Sequence, residues 1–153
     1  MAWERTQNAI YGGDAEKFWR THLQDCPYAR FPEVYLVCRQ DLRLRGEYLE
    51  FPEDSFSRFV QLAKTNKATL QMCLLAVIGT VIFKMTGQAR FSLTSVLENR
   101  EQGGTEGLLA TLLGVMPIPF SLDASMDFES VLAQVRKNVL AAYEHKHCPW
   151  SVP

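Results

Sequence analysis

The side chains best suited to acid–base, nucleophilic or metal chemistry are few and scattered. The chain has 3 histidines, His22, His145 and His147, and 4 cysteines, Cys26, Cys38, Cys73 and Cys148. An imidazole exchanges protons near neutrality, and a thiolate attacks carbon or ligates metal. His145, His147 and Cys148 lie close together, and zinc accepts both residue types. Such crowding needs an unusual loop, and no fourth ligand is nearby, so a helix C-terminus favouring a charged imidazole is the preferred reading and no metal is expected. Arg100 lies between Glu98 and Glu101, where an ion pair is the preferred role. Alternation along a strand would put Ser92 and Thr94 on one face. Residues 102–107, QGGTEG, lack the GK[ST] ending of a phosphate loop and read as a surface loop.

The elements that must hold these residues follow from periodicity and caps. Ala15, Phe18, Trp19 and Leu23 have helical spacing, with Asp14 as the expected N-cap and Gly12-Gly13 as a loop before it. Residues 25–32 hold Pro27 and Pro32 and read as an extended connection. Residues 34–38 and 42–51 read as strands, the second with Arg43, Arg45, Glu47 and Glu50 on its wet side. Pro52-Glu53-Asp54-Ser55 opens a helix to about Asn66, with a stripe of Phe56, Phe59, Val60, Leu62 and Ala63. Thr69 caps the next helix, which runs from Leu70 to Met85 and ends at Gly87. Its apolar residues surround nearly the whole circumference, so it is expected to be central. Residues 90–97 alternate as a strand, and 108–113 read as a short helix. Pro117 and Pro119 exclude a central strand over 115–122, leaving a sheet edge or a crossing loop. Asp127 caps a last amphipathic helix to Glu144. Trp3, Trp19 and Trp150 read as packing residues.

Bulk properties exclude several classes. With 16 basic and 17 acidic residues, net charge −1, there is no electrostatic footprint for nucleic acid or an anionic membrane. The apolar run 72–83 is too short to cross a bilayer. No apolar signal segment follows Met1, and the widely spaced cysteines read as reduced thiols of a cytosolic protein. The 153 residues suffice for one structural unit with its own core, a sheet with helices packed on it.

Three stretches, in order, resemble the condensation domains of nonribosomal peptide synthetases. KFWRTHL at 17–23 followed by Pro27 resembles a "yW…L…P" helix and exit, through Trp19. NKAT at 66–69, the helix after it, Thr86-Gly87-Gln88, and the strand ending Glu98-Asn99-Arg100 resemble a helix, glycine turn, strand and "NR" ending. The tail, Phe128, Leu132, Val135-Arg136 and Tyr143-Glu144-His145-Lys146-His147-Cys148-Pro149-Trp150, resembles "tf…ll..vr…yeHqdyPfe". The resemblance implies an α/β (α+β) fold: a mixed sheet flanked by helices, forming one lobe of the two-lobed chloramphenicol acetyltransferase-like architecture. Residues 1–153 would be a partial domain, the C-terminal lobe.

In that family, an acyl group on one carrier protein is joined to an amine on another. The phosphopantetheine arms that bear both enter a tunnel between the lobes, so the implied partners are the N-terminal lobe and carrier proteins. No bound cofactor is implied. Ser92, Thr94, Arg100 and Met116 are the candidate tunnel residues. The family's histidine motif, HHxxxDG, does not occur in this sequence, so the isolated chain is expected to be inactive. Met116 stands where the family usually has Asn, and Ser121 where it often has Arg; a thioether cannot replace an amide's hydrogen bonds. Two alternatives follow: a non-catalytic module that binds a carrier protein or other partner, and self-association through uncovered apolar faces.

Overall fold

The computed structural model describes residues 13–31, 50–98 and 113–146, with single positions at 46, 48 and 109. The expected strand at 34–38 and most of that at 42–51 therefore lie outside the described residues; the described positions of the latter, 46, 48, 50 and 51, have no regular structure. Six elements follow one another: α1 (13–22), α2 (Glu53–Thr65), α3 (Leu70–Thr86), β1 (Arg90–Glu98), β2 (Leu113–Ser121) and α4 (Phe128–Glu144).

The two strands form an antiparallel pair, with Phe91 opposite Phe120, Leu93 opposite Ile118 and Ser95 opposite Met116. Opposed residues share a face, so these six make one side of the sheet. All except Leu93 are buried, and the rings of Phe91 and Phe120 stack with centroids 5.0 Å apart. The helices α3 and α4 pack on each other, and α4 also packs on β2. At Gly79 a Cβ would come within 2.2 Å of the Phe120 ring, so only glycine lets α3 approach the sheet this closely.

A parallel bridge from Tyr28 to Ser92 makes the small sheet mixed. Ser92 N–H donates to Pro27 O (2.7 Å) and Ser92 O accepts from Ala29 N–H (3.3 Å). The backbone of Ser92 therefore faces the 27–29 segment, away from its cross-strand neighbour Pro119. That register explains how β2 tolerates two prolines. Pro117 and Pro119 stand at positions whose nitrogens point away from β1, where no ladder bond is lost. Of the two expectations for this segment, the sheet edge is the one found.

The outer edge of β2 is covered by side chains of α4. Gln134 Nε2 donates to Ser121 O (2.8 Å), Gln134 Oε1 accepts from Ser121 N–H (2.9 Å), and Asn138 Nδ2 donates to Pro119 O (2.7 Å). Two amides one helical turn apart thus bond the edge as a neighbouring strand would, and block pairing with another chain.

The expected caps are present at three ends. Thr69 Oγ1 accepts from Met72 N–H, Asp127 Oδ1 accepts from Ser130 N–H, and Gly87 takes a left-handed φ of 69°. Three expectations need correction. Gly13 and Asp14 are helical, so α1 is under way before the supposed cap. Leu113 begins β2 and belongs to no helix; Leu109, the other described residue of that expected helix, has no regular structure. The helix α3 is not buried all round. Met72, Cys73, Leu75, Ala76, Gly79 and Ile82 face the core, while Leu70, Leu74, Val77, Ile78, Val81 and Met85 are exposed. No single helix among the described residues is long and apolar enough to cross a membrane.

Candidate functional site

The best-defined convergence of distant residues joins α1 to the end of α4. Trp19 is buried, and its Nε1–H donates to His145 O at 2.9 Å. His145 closes α4: its backbone N–H reaches Ala141 O and Ala142 O, and its Nδ1 lies 2.9 Å from Ala141 O. Its ring stacks on Phe18 with centroids 3.8 Å apart, and His22 stacks on the same Phe18 at 4.6 Å. One phenyl ring on α1 thus contacts two imidazoles, one from each helix. Trp19 and His145, 126 residues apart in sequence, are joined by a hydrogen bond, and their geometry is that of a structural clamp.

The His22 imidazole is held below its ordinary range, first by burial and then by the nearby charges of His145 and Lys137. Its Nε2 is buried and has no hydrogen-bond partner among the described residues. Burial pushes the Cys26 thiol up, against smaller opposing effects from a Phe120 backbone hydrogen bond and the Arg90 charge. Cys73, fully buried in α3, is raised by burial alone and packs as a small hydrophobe.

The tunnel candidates fall on different faces. Ser92 and Thr94 share the face opposite Phe91, as alternation requires; Ser92 is buried against Pro27, with its Oγ 3.4 Å from Pro27 O, while Thr94 is exposed. Met116 is on the helix-packed face, 1% exposed within the apolar core. A thioether suits this apolar packing. Opposite Met116, Ser95 Oγ accepts from Gln71 Nε2 at 2.9 Å, tying α3 to β1. Arg136, in the tail motif, donates through Nε to Lys67 O at 2.8 Å, fastening α4 to the turn between α2 and α3. Asn99, Arg100, His147, Cys148, Pro149 and Trp150 lie outside the described residues. Among the described residues no group of three potential metal ligands gathers.

A second feature is an apolar cleft of about 380 Å³ between α2 and α3, lined by Phe51, Phe56, Phe59, Leu70, Leu74 and Val77. It is continuous in sequence with the exposed side of α3. Sequence reasoning did not find this cleft, because an apolar stripe does not reveal whether something covers it. It also missed Gln134 and Asn138, although two amides at helical i, i+4 spacing between buried valines are a legible signal.

The small mixed sheet with helices on it defines an α/β class in which the buried Trp19–His145 clamp and the exposed Thr94 face are the distinctive features. The condensation-domain family model matches residues 2–152, and the chain belongs to that family. It is 30% identical to surfactin synthase subunit 1 of Bacillus subtilis (strain 168) over 136 residues, which is 80% of this chain and 4% of that protein. It is 24% identical to tyrocidine synthase 3 of Brevibacillus parabrevis over 154 aligned residues, 97% of this chain and 2% of that protein. Among solved structures, the first condensation domain of the CDA synthetase superposes with a TM-score of 0.78 at 14% identity, covering 98% of this chain and 34% of that one. The condensation domain of the monacolin K polyketide synthase MokA superposes with a TM-score of 0.78 at 16% identity, covering 99% and 37%. These likenesses establish the fold. The chain spans about a third of each of these two solved chains and a few per cent of the two synthetases.

Proposed function

We propose that this chain is the C-terminal lobe of a condensation domain in a nonribosomal peptide synthetase. It shapes one side of the tunnel in which an acyl group and an aminoacyl group, each on a carrier-protein phosphopantetheine, are joined by an amide bond. The observation that carries this reading is the clamp between α1 and the end of α4. The residues of the family-like segments at both ends of the chain, Trp19 and His145, meet in one hydrogen bond. A family model spanning 2–152 and a superposition on one third of a solved condensation domain support it.

In this reading the chain contributes no catalytic base. Amide formation needs a group within hydrogen-bond reach of the acceptor amine. His145 is committed to Phe18 and Ala141, and His22 sits against the same phenyl ring. The base comes from the HHxxxDG motif of the N-terminal lobe, which is the first partner; the carrier proteins are the others. Thr94, exposed on β1, faces the tunnel in this reading; Ser92, buried against Pro27, holds the strand, and Arg100 belongs to the same wall by the family resemblance. The uncovered side of α3 and the cleft beside it fit a lobe that needs further protein against it. The domain works in the cytoplasm, and in pathways to natural products.

A condensation assay with loaded donor and acceptor carrier proteins tests this. The chain alone gives no amide product, and mixing it with a separately expressed histidine-bearing lobe restores product. Product from the chain alone would refute the assignment of the base. A second reading, a binding module without catalytic role, is favoured by the absence of HHxxxDG from the sequence. Carrier-protein affinity with no rescue of activity, although the halves associate, would establish that reading instead.

A further inference from the structure

A cleft of about 270 Å³ opens where the exit of α1, the start of β1 and the outer side of α4 meet; its polar walls are His22, Cys26, Arg90, Ser121 and Lys137, with the Gln134 and Asn138 amides at the strand edge. Among the described residues no carboxylate lines it. We propose that this cleft binds a phosphoryl anion between Arg90, Lys137 and His22. The proposal is independent of the acyl-transfer reading.

Three observations carry it. First, the cations are uncompensated: among the described residues neither Arg90 nor Lys137 forms an ion pair, although the chain as a whole is nearly neutral. Second, the positions are set. Arg90 donates one Nη2–H to Gln24 O at 3.1 Å, which orients the guanidinium and leaves its other donors unused by the fold. The helix carrying Lys137 is pinned to the strand edge on both sides of it, by Gln134 and Asn138. Third, His22 lines the same cleft, and among the described residues its buried Nε2 has no hydrogen-bond partner.

The chemistry favours phosphate. A guanidinium fork and an ammonium together match tetrahedral oxyanions carrying more than one negative charge. Burial keeps the Cys26 thiol protonated, so it adds no opposing negative charge. Burial first, and then the His145 and Lys137 charges, work against protonation of His22. A bound dianion reverses that balance, because a nearby opposite charge favours the protonated imidazole.

Proton NMR of the 153-residue chain provides the test. Inorganic phosphate and methyl phosphate are titrated separately at constant ionic strength against chloride, with the imidazole resonances of His22 and His145 followed. Saturable shifts of His22 with both probes, together with an upward move of its titration midpoint, are expected. Inorganic phosphate alone acting would identify the free ion as the ligand; both acting would identify any phosphoryl group presented from outside. The variants Arg90→Gln and Lys137→Gln, both at exposed positions, each weaken binding roughly tenfold while the melting temperature stays that of the parent. A His22 resonance indifferent to both probes, or affinity unchanged in both variants, overturns the proposal.

Discussion

The helices α3 and α4 have equal length, 17 residues, and pack against each other, yet they handle their apolar surface differently. Along α4, Val131, Leu132, Val135, Val139 and Ala142 are buried, and the opposite side is mostly polar, with Glu129 and Lys137; Leu140 and Tyr143 are its exposed apolar residues. Along α3 the inward side is equally well buried, but the outward side is also apolar. Leu70, Leu74, Val77, Ile78, Val81 and Met85 remain between 37% and 48% exposed. An amphipathic helix is finished by one contact; a helix apolar all round is finished only by two. The difference teaches where the packing of this chain is complete and where it is open. The side of the core bounded by α4 is complete, down to a strand edge capped by side chains. The side bounded by α3 offers apolar surface to whatever covers it.

Substitutions on the two helices sharpen the contrast. Leu132→Ala on α4 removes a side chain with no exposed surface and should cost about 2–5 kcal/mol, read by urea denaturation. Ile78→Thr on the outer side of α3 should change stability by less than about 1 kcal/mol while making the chain less prone to associate, read by light scattering. Comparable losses at both positions would mean that the outer side of α3 is already covered. Gly79→Ala probes the inner side of α3. A better helix former would there strike the Phe120 ring, so a loss of about 1–3 kcal/mol is expected in place of a gain. Thr69→Ala removes the hydroxyl that caps α3 and should cost about 1 kcal/mol, since Met72 N–H loses its acceptor.

The smallest effect concerns the clamp at the end of α4. The folded state lowers the His22 pKa from 6.5, through burial and the charges of His145 and Lys137. Below that unfolded value the unfolded chain binds more protons at this site. The contribution of His22 is therefore fully present above pH 6.5 and is lost as pH falls through the lower folded value. Thermal melts between pH 7.5 and 5 should show this decline, and His22→Gln should flatten it.

Much of the fold was legible because local rules governed it. Thr69, Gly87 and Asp127 stand where caps are needed, and the alternation of β1 placed Ser92 and Thr94 on one face. Pro117 and Pro119 pointed to an edge because a missing N–H is a local fact. What could not be read depends on distant partners. The half-covered state of α3 follows from what packs on it, and composition is silent about that. The burial of Met116 follows from the register that sets it opposite Ser95, which pairs residues far apart in sequence. The meeting of Phe18, His22 and His145 needs the two ends of the chain to approach, which no local pattern encodes.

Sedimentation velocity of this chain mixed with the histidine-bearing lobe of the same synthetase tests the central claim most directly. A one-to-one complex, with the α3 outer side protected from amide exchange and Ile78→Asp weakening assembly, is the predicted result. Two separately sedimenting lobes, under conditions where the intact domain is folded and active, would contradict the assignment of this chain as one lobe of a condensation domain.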